Sequence, residues 1–287
     1  RNMRRKPSHY DIQTAAVVQS SLQYLKDNAK VKSTFYRASG HSGHQHISSM
    51  LASSWTYFLK CFDALLEKDK RAPDVVSLCL QGIRLTVNMG APLMLESLVK
   101  SAMDVLAKHT HLLDASYQLA AMNIECAKCL FNIASTNGDY MADSWRVVLQ
   151  CVSRLAWLQN VSTGAGTAES LPAPSISAPS STRTTSMGVS HLSLTDQHNA
   201  ELVNSMMELN SLDWVFLESV NLADNSIVDF VVALAEVSKE EMEHKPVRTF
   251  SLQKIVEIAS FNMSRIRIVW TQIWSVLGEH FSMAAIG

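Results

Sequence analysis

Apolar residues recur at three- and four-residue steps through most of this chain, the spacing that lines up one face of an α-helix. The clearest stretch runs from residue 249 to residue 277 as one continuous stripe. A second apolar line joins it there, through Ile258, Phe261, Val269 and Val276. A helix that is apolar on two sides is covered on two sides. The pattern therefore predicts helices stacked in layers.

Glycine and proline are few, 10 and 7 among 287 residues, and they fall between the apolar-periodic stretches. Pro73 and Pro92 suit first helical turns, Asp114 suits an N-cap, and Asn137-Gly138 suits a helix end. The predicted helices cover about residues 10–30, 47–68, 73–90, 92–106, 114–136, 143–159, 196–211, 224–237 and 249–277.

These helices predict an all-α fold, an armadillo- or HEAT-like solenoid of stacked antiparallel helix pairs. A compact, irregular helical bundle is the alternative. Residues 161–195 are rich in Ser, Thr, Ala, Gly and Pro, which predicts a disordered loop. Its hydroxyls are either phosphorylation sites or parts of a plain spacer. We therefore predict a first solenoid part at 1–160 and a second part of the same solenoid at 196–287.

Charge and cysteine content restrict the class of protein. Lys and Arg number 25 and Asp and Glu 26, so no global field favours nucleic acid or an anionic membrane. Every apolar run is interrupted before the ~20 residues of a transmembrane helix. The chain opens with Arg1 and shows no signal peptide. We expect a soluble, cytosolic segment of a larger protein, with its five cysteines reduced.

Two groups of residues suggest metal or redox chemistry. Cys126 and Cys129 have the spacing of a redox or zinc motif, but they lie in mid-helix among apolar residues without a second pair, which favours buried structural thiols. His41, His44 and His46 share a glycine-containing loop without an adjacent acidic or sulfur ligand, which favours a solvated loop. No phosphate-binding glycine loop or Gly-x-Ser-x-Gly elbow occurs. The sequence predicts no catalytic, cofactor or metal site.

Four blocks resemble the region downstream of the catalytic Sec-seven domain in the large brefeldin A-inhibited guanine-nucleotide exchange factors for Arf GTPases. They occur in the family's order and span most of the chain. Gln81, Ser260-Phe261 and the first helix depart from the family pattern, and one assignment that fits is the divergent third animal member. The blocks are Ser-Leu-Cys-Leu-Gln-Gly-Ile-Arg at 77–84, Gly-Asp-Tyr to Asp-Ser-Trp at 138–145, Asn-Ser-Ile-Val-Asp-Phe-Val at 225–231, and Arg-Thr-Phe-Ser-Leu-Gln-Lys-Ile-Val-Glu-Ile at 248–258, continuing to Trp274.

The resemblance implies an armadillo-like region with regulatory work. In that family a separate helical domain carries out exchange with a Phe-Arg-x-Pro-Gly-Glu loop, and no Pro-Gly-Glu occurs here. The implied partners are an Arf GTPase, the protein's own exchange domain and neighbouring solenoid domains. A membrane surface and a homodimer of the full-length protein are left open. The implied location is cytoplasmic, peripheral on trans-Golgi, endosomal or secretory-vesicle membranes.

Five residues of the blocks are candidates for partner binding, and each has a structural alternative. Lys254, Arg265 and Arg267 could instead form a solvated rim beside a buried stripe. Trp145, like Trp270 and Trp274, is interpreted as core rather than interface. Two other functions stay open: a protein-binding helical-repeat scaffold of other trafficking machinery, and a redox or metal enzyme built on Cys126 and Cys129. The candidates are Arg84, Trp145, Lys254, Arg265 and Arg267.

Overall fold

The computed structural model describes residues 9–29, 41–68, 72–162, 193–207, 212–244 and 247–286, and all the regular structure of these residues is helical. Two compact units are distinguished, residues 1–45 and residues 46–287. The predicted all-α class is confirmed. The helices are α1 His9–Ala29, α2 His41–Lys68, α3 Pro73–Gly90, α4 Glu96–Thr110, α5 Ala121–Thr136, α6 Ser144–Ser162, α7 Leu194–Met206, α8 Asp213–Leu217, α9 Asp224–Glu243, α10 Phe250–Phe261 and α11 Ile266–Ile286.

The helices of the second unit pack as stacked pairs. α4 packs against α3, α5 and α6; α6 packs against α7 and α9; and α9 packs against α10 and α11. Each of these three helices contacts a neighbour in sequence and a helix further along, as stacked repeats do. One continuous apolar core extends from Leu51 on α2 to Ile273 on α11. This arrangement confirms the predicted helical solenoid.

Several predicted helix starts are wrong. α2 begins at His41, so the predicted histidine loop forms the first turns of a helix, where His44 and His46 are exposed. α5 begins at Ala121 and not at Asp114, whose carboxylate accepts hydrogen bonds from the backbone N–H of Ser116 (3.0 Å) and from its hydroxyl (2.7 Å). An aspartate that bonds its local backbone closes a turn instead of starting a helix.

The helix predicted from Pro92 also begins later. Residues 91–94 form a turn in which Met94 has a φ of 58°, and α4 begins at Glu96. A side chain with a Cβ rarely occupies this left-handed region, so the turn interrupts the helical path that the apolar spacing suggested. The prediction failed because spacing alone does not report backbone conformation.

The stretch from 249 to 277 is two helices rather than one. Asn262 lies between α10 and α11 and is buried, and its side-chain amide donates to the carbonyl of Ile258 (3.0 Å) and to the hydroxyl of Ser219 (3.1 Å). The bond to Ile258 satisfies a carbonyl at the end of α10. The bond to Ser219 attaches Asn262 to the turn that follows α8. The apolar stripe therefore continues across a break in the helix.

The predicted loop at 161–195 lies mostly outside the described residues. Residues 161 and 162 belong to α6, and Ser193 caps α7 by accepting a hydrogen bond from the backbone N–H of Asp196 (3.0 Å). Disorder of 163–192 and the division into two solenoid parts stay predictions.

Four aromatic side chains form a continuous chain through the core. Trp145 of α6 meets Phe230 of α9 edge-on at 4.6 Å between ring centroids. Phe216 of α8 contacts Phe230 at 6.2 Å and Phe250 of α10 at 5.9 Å. Three of these residues come from three different sequence blocks, and Phe216 joins them. Three of the four blocks therefore meet in the core.

A buried carboxylate joins α6, α9 and α10. Glu241, near the end of α9, accepts hydrogen bonds from the hydroxyl of Ser153 on α6 (2.5 Å) and from the N–H (2.8 Å) and hydroxyl (2.7 Å) of Ser251 on α10. The N–H of Ser251 is one of the donors that a helix start leaves without an internal partner. Glu241 therefore caps α10 from another helix.

Two block glycines allow close helix contacts. A Cβ at Gly82 on α3 would collide with the ring of Phe62 on α2, and one at Gly138 would collide with Leu222. By contrast, a Cβ at Gly278 on α11 would meet nothing within 4 Å. A side chain at 82 or 138 would therefore displace Phe62 or Leu222, whereas one at 278 would displace nothing within 4 Å.

We predict opposite stability effects for alanine at positions 82 and 278. Gly82→Ala should lower the free energy of unfolding by about 1–2 kcal/mol, because overpacking costs about 1–3 kcal/mol and outweighs the gain in helix propensity. Gly278→Ala should be neutral or stabilising by up to about 1 kcal/mol. Urea unfolding of dilute protein measures both. Equal effects, or no rescue of Gly82→Ala by Phe62→Leu, would contradict the Phe62 contact.

Candidate functional site

A groove of about 1020 Å³ lies between α3 and α5. One wall carries residues of the first sequence block, and the other carries the exposed side of α5. On each helix the lining residues recur at three- and four-residue steps, so each wall is one helix face. The lining residues are Pro73, Val76, Ser77, Leu80, Gln81 and Arg84 from α3, and Ala120, Ala121, Met122, Glu125, Lys128, Cys129 and Asn132 from α5 and the residue before it.

The groove combines an apolar floor with one unpaired cation. Val76, Leu80 and Met122 are buried among its lining residues. Lys128 is neutralised by Glu125, with Nζ and Oε1 2.9 Å apart. The guanidinium of Arg84 is exposed, and no described residue accepts a hydrogen bond from it or forms an ion pair with it. The site therefore offers apolar contact together with five unused guanidinium donors.

The two cysteines of α5 are poor nucleophiles. Burial raises the pKa of Cys126 to about 12 and that of Cys129 to about 11. The Cys129 thiol donates to the carbonyl oxygen of Leu80 at 3.7 Å, which joins α5 to α3 at the groove floor. At neutral pH both are thiols, whereas attack and metal binding require thiolates. The predicted burial is confirmed for Cys126, whereas Cys129 is half-buried.

Lys254 is engaged in the fold rather than available to a partner. Its Nζ lies 2.9 Å from Asp213 of α8 and 2.8 Å from Glu257, and 5.2 Å from the ring centroid of Phe216. Burial lowers the pKa of Lys254, but the hydrogen bonds and charges of Glu257 and Asp213 outweigh it and raise the pKa. With its side chain 12% exposed, the rim interpretation is wrong for this residue.

Arg265 has a similar structural role. Its guanidinium donates to the carbonyl oxygen of Leu222 and, at 2.7 Å, to that of Ser219, and its Nε donates to the side chain of Asn262 at 3.0 Å. These bonds tie the turn before α11 to the segment between α8 and α9. The rim interpretation is therefore wrong here too. Three of its five guanidinium donors are already used in these bonds.

The two remaining candidates, Trp145 and Arg267, differ in exposure. Trp145 is 2% exposed and lies in the aromatic core, whereas Arg267 is exposed on α11. Trp270 and Trp274, interpreted as core, are 51% and 60% exposed, so that interpretation is wrong. An apolar stripe indicates a helix face that is suited to burial. It does not show that a neighbouring element buries that face. Of the five candidates, Arg84 is the one that lines the groove between α3 and α5.

No group of three or more His, Cys, Asp or Glu side chains in the described ranges could hold a metal ion. None of the helices in those ranges is both long and apolar enough to cross a bilayer.

The sequence is similar to segments of known exchange proteins. No family model matches it. It is 34% identical to brefeldin A-inhibited guanine nucleotide-exchange protein 1 of Rattus norvegicus over 257 residues, 83% of this chain. It is 33% identical over 265 residues, 84% of the chain, to the ADP-ribosylation factor guanine nucleotide-exchange factor sec71 of Schizosaccharomyces pombe. It is 27% identical over 277 residues, 87% of the chain, to SEC7 of Saccharomyces cerevisiae. The matched segment is 14% of each relative's length.

We predict that one thiol of five reacts readily in the folded chain. Cys61 is the exposed cysteine of the five. With a pKa near 11 or 12, Cys129 and Cys126 have at least roughly 100-fold less thiolate at neutral pH than an ordinary cysteine. A chromogenic thiol reagent should therefore titrate one thiol quickly, and Cys61→Ser should remove that phase. Fast labelling of Cys126 or Cys129, located by mass spectrometry, would show that the pair is reactive.

Proposed function

We propose that this chain, which belongs to the family of large brefeldin A-inhibited guanine nucleotide-exchange proteins for Arf GTPases, is a non-catalytic regulatory scaffold of such an exchange factor. In this role it contacts activated Arf through the groove between α3 and α5, and it restrains the exchange domain of the same protein. The chain matches about one seventh of the length of its relatives, which leaves room for a separate exchange domain in a protein of that size.

The observation that carries the proposal is the position of Arg84. It belongs to the block that first resembles the family, and it lies at a groove whose other lining cation, Lys128, is already paired. Lys254 and Arg265, unlike Arg84, have low exposure and are held by fold contacts. Arg84 is therefore the block cation best placed to receive an acidic group from outside.

The chemistry of the groove suits a protein surface. Buried Val76, Leu80 and Met122 can cover apolar side chains of a partner, and the planar guanidinium of Arg84 can hold a carboxylate through two parallel hydrogen bonds. A hydrogen bond to a charged group contributes about 1.5–3 kcal/mol. The protonated thiol of Cys129 supplies no nucleophile at neutral pH, which supports binding rather than chemistry.

Membership of the family also supports a place of action. We place the chain in the cytoplasm, peripheral on trans-Golgi, endosomal or secretory-vesicle membranes, in vesicle-mediated protein transport. Its other partners there are its own exchange domain and neighbouring solenoid domains.

We predict that charge reversal at Arg84 weakens Arf binding. Arg84→Glu should reduce the affinity for Arf loaded with a non-hydrolysable GTP analogue by at least about 10-fold, because it removes a charge-assisted contact worth about 1.5–3 kcal/mol and adds repulsion. Arg84→Lys should have a smaller effect, because it keeps the charge and loses the planar fork. Isothermal titration calorimetry of the 287-residue chain measures the affinities.

Lys100→Glu is the matched control. Lys100 is exposed on α4, lines neither wall of the groove and forms only a 3.7 Å pair with Asp143, so its reversal should leave Arf affinity unchanged. Equal binding by wild type and Arg84→Glu would exclude the groove as the contact surface. Absence of binding to either nucleotide form of Arf would remove Arf as the partner and leave a scaffold for other trafficking proteins.

A further inference from the structure

A group of charged side chains surrounds Trp157, near the end of α6. The guanidinium carbons of Arg154 and Arg248 lie over its ring, 4.2 Å and 4.8 Å from the centroid. A cation over an indole face is attracted by the ring, and this contact leaves its N–H donors available to oxygen acceptors. Two guanidinium groups are therefore held close together on one aromatic side chain.

The two arginines differ in their polar partners. Nη2 of Arg154 donates to a carboxylate oxygen of Asp196 at 2.7 Å, and the side chain of Arg154 is 12% exposed. Arg248 is half-buried. Within the described ranges, no residue accepts a hydrogen bond from its guanidinium or forms an ion pair with it. Donors that lose contact with water need an acceptor. Arg248 is therefore a half-buried cation whose donors are unused.

The surroundings of Arg248 do not fully stabilise its charge. Burial lowers the pKa of its guanidinium, and the neighbouring charge of Arg154 lowers it further. The charges of Glu241 and Asp196 raise this pKa but do not restore its usual value. A guanidinium stays protonated at neutral pH, so the lowered pKa reports a charge with too little compensation. An anion bound beside Arg248 would supply that compensation.

A cavity of about 300 Å³ lies beside Arg248. Arg154 borders it from α6, and its apolar lining consists mainly of Leu112, Leu113 and Val237. The volume is at the lower end of the range for small-ligand sites, which is about 300–1,000 Å³. The cavity therefore has room for a small group and not for a helix.

Two carboxylates also border the cavity, and both are already hydrogen-bonded. Glu240 accepts from Arg146 at 2.6 Å and from the amide of Gln150 at 2.7 Å. Glu241 accepts three hydrogen bonds from serines of α6 and α10. Their negative charges repel a doubly charged ligand more strongly than a singly charged one. The cavity therefore favours an anion with one charge.

We propose that this cavity is a binding site for a single carboxylate group on a short apolar body, with Arg248 as its main partner. A planar guanidinium and a planar carboxylate form two parallel hydrogen bonds. Leu112 and Val237, which are buried, and Leu113, which is exposed, contact the apolar body. A phosphate monoester carries nearly two charges at neutral pH and is repelled more strongly by the two glutamates.

Two sources supply this chemistry: an aspartate or glutamate side chain of another polypeptide, and a small free carboxylic acid. Both present the same planar group to Arg248. The cavity and the groove between α3 and α5 share no lining residue. This inference therefore does not depend on Arf binding.

NMR titration of the ¹⁵N-labelled 287-residue chain tests the proposal. The probes are glutarate and a short peptide with one glutamate between two leucines. At least one probe should shift the side-chain Nε–H signal of Arg248 saturably, with a dissociation constant on the order of 0.1–1 mM because the contact is small. The same peptide with glutamine in place of glutamate should bind at least about 10-fold more weakly, because it loses the charge-assisted pair.

Three variants locate the binding, with affinities read from backbone amide signals around the cavity. Arg248→Gln should weaken it by at least about 10-fold. Arg267→Gln is the matched control and should change nothing, because Arg267 is exposed on α11 and does not line the cavity. Ala115→Leu keeps both arginines and their contacts with Trp157. Ala115 is exposed and lines the cavity, so the larger side chain should occupy part of it and weaken binding.

Absence of saturable binding by either probe up to about 10 mM would overturn the proposal. So would equal affinity for the glutamate and glutamine peptides, or wild-type affinity in both Arg248→Gln and Ala115→Leu. Tighter binding of the same peptide with phosphoserine would show a phosphate site instead of a carboxylate site. Within the expected result, glutarate that binds as tightly as the glutamate peptide identifies a small acid as the source, and weaker binding of glutarate identifies a polypeptide.

Discussion

The chain of aromatic contacts from Trp145 through Phe230 and Phe216 to Phe250 is the interaction on which the rest of the second unit depends. It joins α6 to α8, α9 and α10, and so connects helices on either side of residues 163–192. Each aromatic pair contributes about 0.5–1.5 kcal/mol beyond the burial of its area. Glu241 links three of these helices, α6, α9 and α10, through Ser153 and Ser251. Together these contacts fix the positions of α6, α8, α9 and α10 relative to one another.

This core explains the residues by which the sequence resembles its family. Gly82 and Gly138 occupy positions where a side chain would strike Phe62 or Leu222, and Trp145 is closed inside the aromatic chain. Lys254 and Arg265 are polar, yet they also serve the fold through ion pairs and carbonyl contacts. Most of the recognisable residues therefore encode packing. Arg84 differs because its guanidinium faces a groove without a partner in the described chain.

Apolar spacing predicted the helical class and most helices, because burial imposes a period on sequence. It could not place the break at Asn262, which depends on hydrogen bonds to Ile258 and Ser219. The start of α5 was missed because Asp114 bonds Ser116 locally. Spacing also misassigned Trp270 and Trp274, since it does not show whether a neighbour covers the face. Arg84 was found through family resemblance, and its groove could be found only from the packing of α3 against α5.

A scaffold that restrains exchange must act without exchanging nucleotide itself. The direct measurement is the rate at which Arf releases a fluorescent guanine nucleotide, with the chain alone and with the chain added to the exchange domain of a relative. The chain alone should leave the release rate at its spontaneous value and should slow release catalysed by the exchange domain. Acceleration of release by the chain alone, or an unchanged catalysed rate at saturating chain, would contradict a regulatory, non-catalytic role.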